Sequence, residues 1–424
     1  ATGTLTGTNY NLNFSNTGGA SGGNVNVAVL RYTGANTLTF GTVTGLGSSG
    51  SFDYVLVDDG VGTVSVQSSL SSGVGSLGAT VGLTQSLIGT IINRPTSPFV
   101  AGFVPEEGGN PCGNGGWARL TGGRADAEGD FSNATGQSGT TPIGLSYGGI
   151  QVGADLACFD GYYDGWNMAF GTIGGGNKGK TSNPVFGVNA VTGVLDPTTT
   201  LSTTKTEFTQ TYGGVYMSAN RGRFFADLQY RYEDTEFSTT NTAAAAGNPT
   251  LGLNNTTYKS EANTISGSVG YAFPIERVSG LAFVPTAGFA ITKTRLDNIV
   301  NASGDVLATQ DRTSRTAFAG ATLSRSRIAE DGQSAINYFA TATYYHDFSD
   351  ELQGTFTSGG TPSSFTIDNL GSYGELSAGI NYTKLLNPGQ LGRARQFDAS
   401  LRVDGRKSGN LESWGITGQV RFQF

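Results

Sequence analysis

The sequence predicts an all-β fold: a twelve-stranded antiparallel transmembrane β-barrel with an α-helical linker in its lumen and a short β-rich segment ahead of it. Three observations predict it. From Gly115 to Phe424, segments of about ten residues alternate apolar with polar or small side chains, as strands do when one face meets lipid and the other a polar lumen. Glycine supplies 66 of the 424 residues, roughly double the usual share of about 7%, and charged residues are only 13%. Immediately before the alternating region, the apolar period changes from two to the helical period.

The same composition excludes several classes. No run of about 18 apolar residues occurs, so no segment reads as a transmembrane helix. The formal net charge of −7 gives no electrostatic case for nucleic acid. Two cysteines and one histidine leave little material for zinc sites or histidine-based catalysis. Ala1-Thr-Gly-Thr lacks the basic and apolar regions of a secretory signal, so the signal is expected to have been removed or the chain to be a fragment.

Residues 1–69 form the first zone, β-rich, with short period-2 runs such as Phe52-Asp-Tyr-Val-Leu-Val between Gly, Asn and Ser clusters. Residues 70–114 form the second. In it Leu70, Val74, Leu77, Val81, Leu87, Ile88, Ile91 and Ile92 recur at helical spacings, predicting a helix over 70–93 that Pro95 and Pro98 end. Five glycines weaken that helix by about 1 kcal/mol each relative to alanine, but they keep it slim, which suits a confined channel.

Residues 115–424 form the barrel. Twelve strands are expected near 116–125, 145–158, 164–174, 206–218, 223–237, 261–273, 281–296, 313–326, 335–348, 372–384, 396–405 and 412–424. Phe224, Ala226, Leu228, Tyr230 and Tyr232 share one face of the fifth, with Asp227, Gln229, Arg231 and Glu233 on the other. Aromatic residues such as Trp166, Tyr232, Phe273 and Phe424 gather at segment ends, as in the girdles of membrane interfaces. The stretches 126–144, 175–205, 238–260, 297–312 and 349–371 read as long loops, alternating with short turns. Outer-membrane barrels keep their long loops outside, so both barrel ends are expected in the periplasm. The connection near 405–411 breaks the alternation by being short.

In this order the segments resemble the translocator of autotransporters, the type V secretion proteins of Gram-negative outer membranes. Gly116-Trp-Ala-Arg119 with Leu-Thr-Gly-Gly looks like that family's first barrel strand, Gly149 to Asp155 its second and Gly165 to Gly171 its third. The resemblance implies that residues 1–69 end a β-helix-like passenger and that 70–114 thread the pore. It implies an outer-membrane location, with the passenger at the cell surface and the barrel monomeric in lipid. Val420, Phe422 and Phe424 resemble the terminal signal read by the barrel-assembly machinery. Some relatives cut their passenger at an Asn-Asn bond within the pore; here Asn93 is followed by Arg94, so the passenger is expected to stay attached.

His346 reads as an exposed rim residue, because no strand-and-helix elbow supplies a nucleophile for a triad. Gly174–Gly176 are read as loop or strand-end glycines and not as a phosphate cradle. No catalytic, cofactor or metal residue is assigned. Arg119, Asp155, Asp227, Arg231, Glu233, Glu375, Asp398, Arg402 and Arg421 fall on the polar parity of their strands, where they pair as a lumen wall or clamp the linker and tune conductance. Cys112, just before the first strand, and Cys158, at the end of the second, come to the same rim, so a disulfide is expected. Two rival functions stay open: a passive porin-like channel, and a surface adhesin displayed by its barrel.

Overall fold

A computed structural model describes residues 10–14, 26–33, 40–44, 46–49, 51–92, 115–133, 138–189, 191, 194–330, 332–386 and 396–423. Six short strands come first: β1 (Tyr10–Asn13), β2 (Asn26–Arg31), β3 (Phe40–Thr44), β4 (Gly47–Ser49), β5 (Phe52–Asp58) and β6 (Thr63–Leu70). β1 and β3 pair in parallel, whereas β2, β6, β5 and β4 form an antiparallel sheet in that order. Leu56, Val64 and Val66 are the buried centre of this unit. Helix α1 (Ser72–Leu87) follows within two residues and runs on as a π-helical turn, Ile88–Ile92. The helical stretch is thus shorter than 70–93, because Leu70 closes the β5–β6 pairing opposite Phe52.

The barrel is built from β7 (Gly115–Asn133), β8 (Ser138–Tyr163), β9 (Trp166–Val188), β10 (Leu195–Arg221), β11 (Phe224–Ala243) and β12 (Thr256–Tyr271). It continues through β13 (Phe273–Pro274), β14 (Leu281–Leu296), β15 (Ile299–Val300), β16 (Val306–Thr309), β17 (Arg312–Ile328) and β18 (Ser334–Asp347). The last five are β19 (Leu352–Ser358), β20 (Thr361–Ile367), β21 (Tyr373–Leu385), β22 (Gln396–Lys407) and β23 (Leu411–Gln423). Twelve of these are full staves, each overlapping one of the twelve expected segments; β13, β15, β16, β19 and β20 are short additions. β23 closes on β7 from Leu411↔Ala127 to Gln423↔Gly115, so the wall has no free edge. Closure is what hydrocarbon requires, since an unpaired backbone group there finds no water.

Several staves exceed the expected ten residues by a factor of two. The stretches 126–144 and 175–205 are largely paired strand, with β7 running to Asn133 and β10 starting at Leu195. They read as loops because Gly, Ser, Thr and Asn dominate them, yet Asp126-Ala-Glu-Gly-Asp-Phe131 keeps strict alternation. In the long β18–β21 connection, β19 and β20 form a hairpin that pairs with β16 on one side and with the end of β7 on the other. The barrel therefore continues past the membrane as a walled collar. At the opposite end the connections are tight: Tyr163↔Trp166 brackets a two-residue turn, Asp164-Gly165, whose positive φ angles of 49° and 78° suit a type I′ hairpin.

Outward side chains of the membrane zone are apolar: Leu120 and Leu376 are 62% and 71% exposed, whereas inward Arg231 and Glu233 are 2% exposed. That inversion marks a barrel whose outer solvent is lipid. Aromatic rings ring the short-turn end on the outside, with Trp166 edge-on to Phe224 at 5.6 Å and Phe397 against Phe422 at 5.1 Å.

Many glycines have a second use inside the wall. A Cβ on Gly175 would meet the Tyr212 ring, and one on Gly179 the Phe208 ring, at 2.7 Å or less. The lumenal rings reach over glycines of the neighbouring stave, where a side chain would collide with them.

Candidate functional site

The lumen is divided into two zones along its axis. In the zone nearer the short turns, inward positions carry charge, and the charges are paired. Arg231 donates from Nε to Glu233 Oε1 at 2.8 Å, and its guanidinium lies 4.5 Å from the centre of the Tyr212 ring. Gln210 and Thr264 also donate to Glu233, at 3.1 and 3.0 Å. Glu375 receives Arg402 on one carboxylate oxygen and Arg406 Nε on the other at 2.8 Å, and Asp404 lies 3.1 Å from Arg406. Asp155 bonds Tyr216 and takes Arg421 at 2.8 Å across the β8–β7–β23 closure. Arg119 donates to Gln419 at 2.7 Å and to Gln151 at 3.4 Å. Asp227 accepts from Ser268, and Asp398 from Thr383 at 2.7 Å. All nine charges singled out in the sequence therefore sit on the lumenal face, distributed over several clusters.

In the zone nearer the long connections, the same inward parity becomes apolar. On β11 the inward series runs Gln229, Arg231, Glu233, Thr235, Phe237, while the outward series changes from Leu228, Tyr230 and Tyr232 to Asp234 and Glu236. On β7, Arg119 gives way to Ala125, Ala127 and Phe131 inside, and Leu120 to Arg124, Asp126 and Glu128 outside. The expectation of a polar lumen holds for half of it only. The polarity reverses because water replaces lipid outside the collar and a helix replaces water inside it. Two aromatic rows line this apolar zone. Phe237 and Tyr258 stack at 5.0 Å beside Phe208, and Tyr345 and Tyr373 stack at 4.7 Å beside Phe318.

Helix α1 occupies the apolar zone. It is buried on nearly all sides, so it needs no polar face. Val74, Leu77, Val81, Leu83 and Leu87 join Phe131, Ile143, Phe356, Phe365 and Ile367 in one cluster. Its glycines face the collar at closest approach. A Cβ on Gly75 would fall 2.2 Å from the Phe131 ring and one on Gly78 2.6 Å from the Phe365 ring; Gly82 abuts Leu352 and Ile367. Polar contacts from wall to helix also occur. Asn183 donates to Ser76 at 2.7 Å, Arg312 donates to Ser86 at 2.7 Å and reaches the Gly82 carbonyl at 3.4 Å, and Ser72 donates to the Phe186 carbonyl at 2.7 Å. Arg312 is buried, and its guanidinium is held by one helix hydroxyl and one helix carbonyl.

The sequence reading missed Arg312, Arg406 and the aromatic rows. Arg312 and Arg406 share the inward parity of their strands, Arg406 with Arg402 and Asp404, so extending the strand limits would have found both. His346 is exposed at the strand end, with Nδ1 2.6 Å from Ser372 Oγ. Asp347, its neighbour, is buried on the opposite face, which gives no triad. Phe422 and Val420 face outward and are exposed. Phe424, Cys112 and Asn93 lie outside the described residues; Cys158 sits on β8 near the short-turn end, opposite Ala169.

Comparison with known proteins follows the same lines. The family model described as the autotransporter β-domain matches residues 116–385. The fold is similar to the transport unit of the autotransporter AIDA-I from Escherichia coli, at 14% identity and a TM-score of 0.55, covering 82% of this chain and 98% of that one. It is also similar to the β-domain of the Bordetella autotransporter BrkA, at 14% identity and a TM-score of 0.52, covering 74% and 100%. A search of curated proteins finds no match.

Proposed function

The chain belongs to the autotransporter β-domain family, an outer-membrane translocator that exports its own passenger, and from that premise we propose that α1 closes the exporting pore at its outer half. One observation supports this most: a glycine-notched helix, buried on almost all sides by the collar, runs directly into a folded sheet on the long-connection side. Residues 1–69 are the end of the passenger, residues 70–114 the linker and residues 115–424 the translocator. Export requires an extended or slim chain to pass the lumen, and small residues at Gly73, Gly75, Gly78 and Gly82 give the linker that slimness where leucine, valine, isoleucine and phenylalanine side chains of the collar approach it.

The paired lumenal charges then form the wall that the linker passes on its way to Gly115. Arg231 with Glu233, Arg402 and Arg406 with Glu375 and Asp404, and Arg421 with Asp155 are neutralised in place, so these stretches of the wall offer little net charge to hold a passing chain. In planar bilayers, the chain lacking residues 72–92 should show a several-fold larger single-channel conductance than the full chain. Equal conductance would contradict closure by the helix.

The remaining expectations complete this reading. The barrel works as a monomer, and the passenger stays attached. Cys112 and Cys158 form a disulfide. The β7–β8 ladder pairs Gly116 with Ala154, and counting the same register back to 112 gives 158, which supports this pairing. Peptide mass spectrometry without reduction should recover the linked pair; two alkylated thiols would refute it. The terminal strand is handed to the barrel-assembly machinery through its outward aromatics. Loss of Phe424 should slow insertion far more than Gln423→Ala, which alters a lumenal side chain; equal yields of heat-modifiable barrel would refute that role.

A further inference from the structure

The junction between the N-terminal sheet and α1 is built from buried polar groups. Ser71 is the N-cap, and its hydroxyl accepts from the Val74 N–H at 3.2 Å. No acidic residue lies in the first turn of the helix. The anion comes instead from the sheet: Asp53, on β5 and fully buried, accepts the Ser72 N–H on Oδ2 at 2.7 Å. The Ser71 N–H donates to the Ser51 carbonyl at 2.9 Å, and the Ser51 hydroxyl donates to Asp305 in the β15–β16 turn at 2.9 Å. Helix, sheet and collar meet in this one cluster.

An unfilled helix N-terminus buried in a collar leaves donors without acceptors and a dipole without a counter-charge. Asp53 is in place only when β5 has paired with β6 at Phe52↔Leu70 and Asp53↔Ser69. We infer that the terminal sheet is a latch: Asp53 is a positioning residue that couples folding of the last passenger strands to seating of α1 in the pore. The coupling is reciprocal, as linkage demands, so a seated helix equally stabilises the sheet. During export the helix would remain loosely held until β5 and β6 pair outside. Their pairing then caps the helix. This inference rests on the pore-closing role of α1 proposed above.

The test uses the full chain in planar bilayers, together with hydrogen exchange of the β5 and β6 amides. Asp53→Ala removes the acceptor. Ser72→Pro is accepted by the backbone at the first helical position; it removes the N–H donor together with the hydroxyl and turns Asp53 away from the ring, and Ser72→Ala supplies the baseline for losing the hydroxyl alone. Asp53→Ala and Ser72→Pro should each raise the frequency of channel opening and the exchange rate of β5–β6 amides together, by about tenfold for the loss of a buried cap. The double variant should go no further than either single one. Independent, additive effects would overturn the latch, as would more frequent opening with unchanged exchange in the sheet. If Asp53→Ala does not fold, Asp53→Asn retains an acceptor without charge and should move both readouts by a smaller, still matched factor; a mismatch there also overturns it. Unchanged conductance on deleting 72–92 would instead refute the closing role itself, so the two failures are distinguishable.

Discussion

The two halves of the lumen solve opposite problems with the same strands. Within the membrane the wall must be apolar outside, so its inward positions are free to be polar, and Arg231, Glu233, Glu375 and Arg402 neutralise one another there. Beyond the membrane the outside is wet, so Asp126, Glu128, Asp234 and Glu236 move outward, and Phe131, Phe237 and Phe356 turn inward. Between bulges, such as the one between Asp155 and Ala157 on β8, parity is kept along a stave, and what changes is the solvent on each side. The lesson is that inward and outward are fixed by geometry, whereas polar and apolar are fixed by what each face touches.

The two halves should fail in different ways when altered. In the charged half, Glu375→Gln strips two buried arginines of their shared carboxylate. Breaking a buried pair from one side typically costs about 3–5 kcal/mol, so the temperature of heat-modified unfolding in gels should fall by many degrees, with little change in channel closure. Unaltered gel behaviour would mean that the network contributes nothing to the wall. In the apolar half, Gly75→Ala drives a methyl into the Phe131 ring. Overpacking of this kind costs about 1–3 kcal/mol and should appear as more frequent channel opening, which Phe131→Ala in the same chain should reverse. Failure of that rescue would separate the glycine from the ring. Smallest of all, Glu236→Gln, on the wetted outside of the collar, should change neither readout by more than about 0.5 kcal/mol.

Much of this was legible in the sequence. Alternation in Phe224 to Tyr232 and in Trp414 to Phe424 reports a wall between lipid and lumen, and the helical spacing of Val74, Leu77 and Val81 reports the linker. The twelve staves follow from such patterns. The collar did not, because Asp126-Ala-Glu-Gly-Asp-Phe131 alternates with the polar side outward, like an ordinary soluble strand, while its glycine and serine content imitates a loop. The closing helix was legible in period but not in its limits: π-helical Ile88–Ile92 keeps the apolar pattern, and Leu70 belongs to a strand. The site itself was half visible. Parity identifies nine lumenal charges, yet the Phe131–Gly75 and Phe365–Gly78 contacts join residues far apart in the chain, and no local pattern encodes them.

The account turns on α1 being enclosed by the collar in the exported, membrane-inserted chain. Thiol labelling tests this directly. In a chain with Cys112 and Cys158 replaced by alanine, single cysteines at Val74 and Leu83, both essentially unexposed, are offered to a membrane-impermeant thiol reagent. Glu236→Cys, on the outer face of the same collar, serves as the accessible control. The account predicts rapid labelling at position 236 and none at 74 or 83 until the barrel is unfolded. Labelling at 74 and 83 at the rate of the control would contradict it.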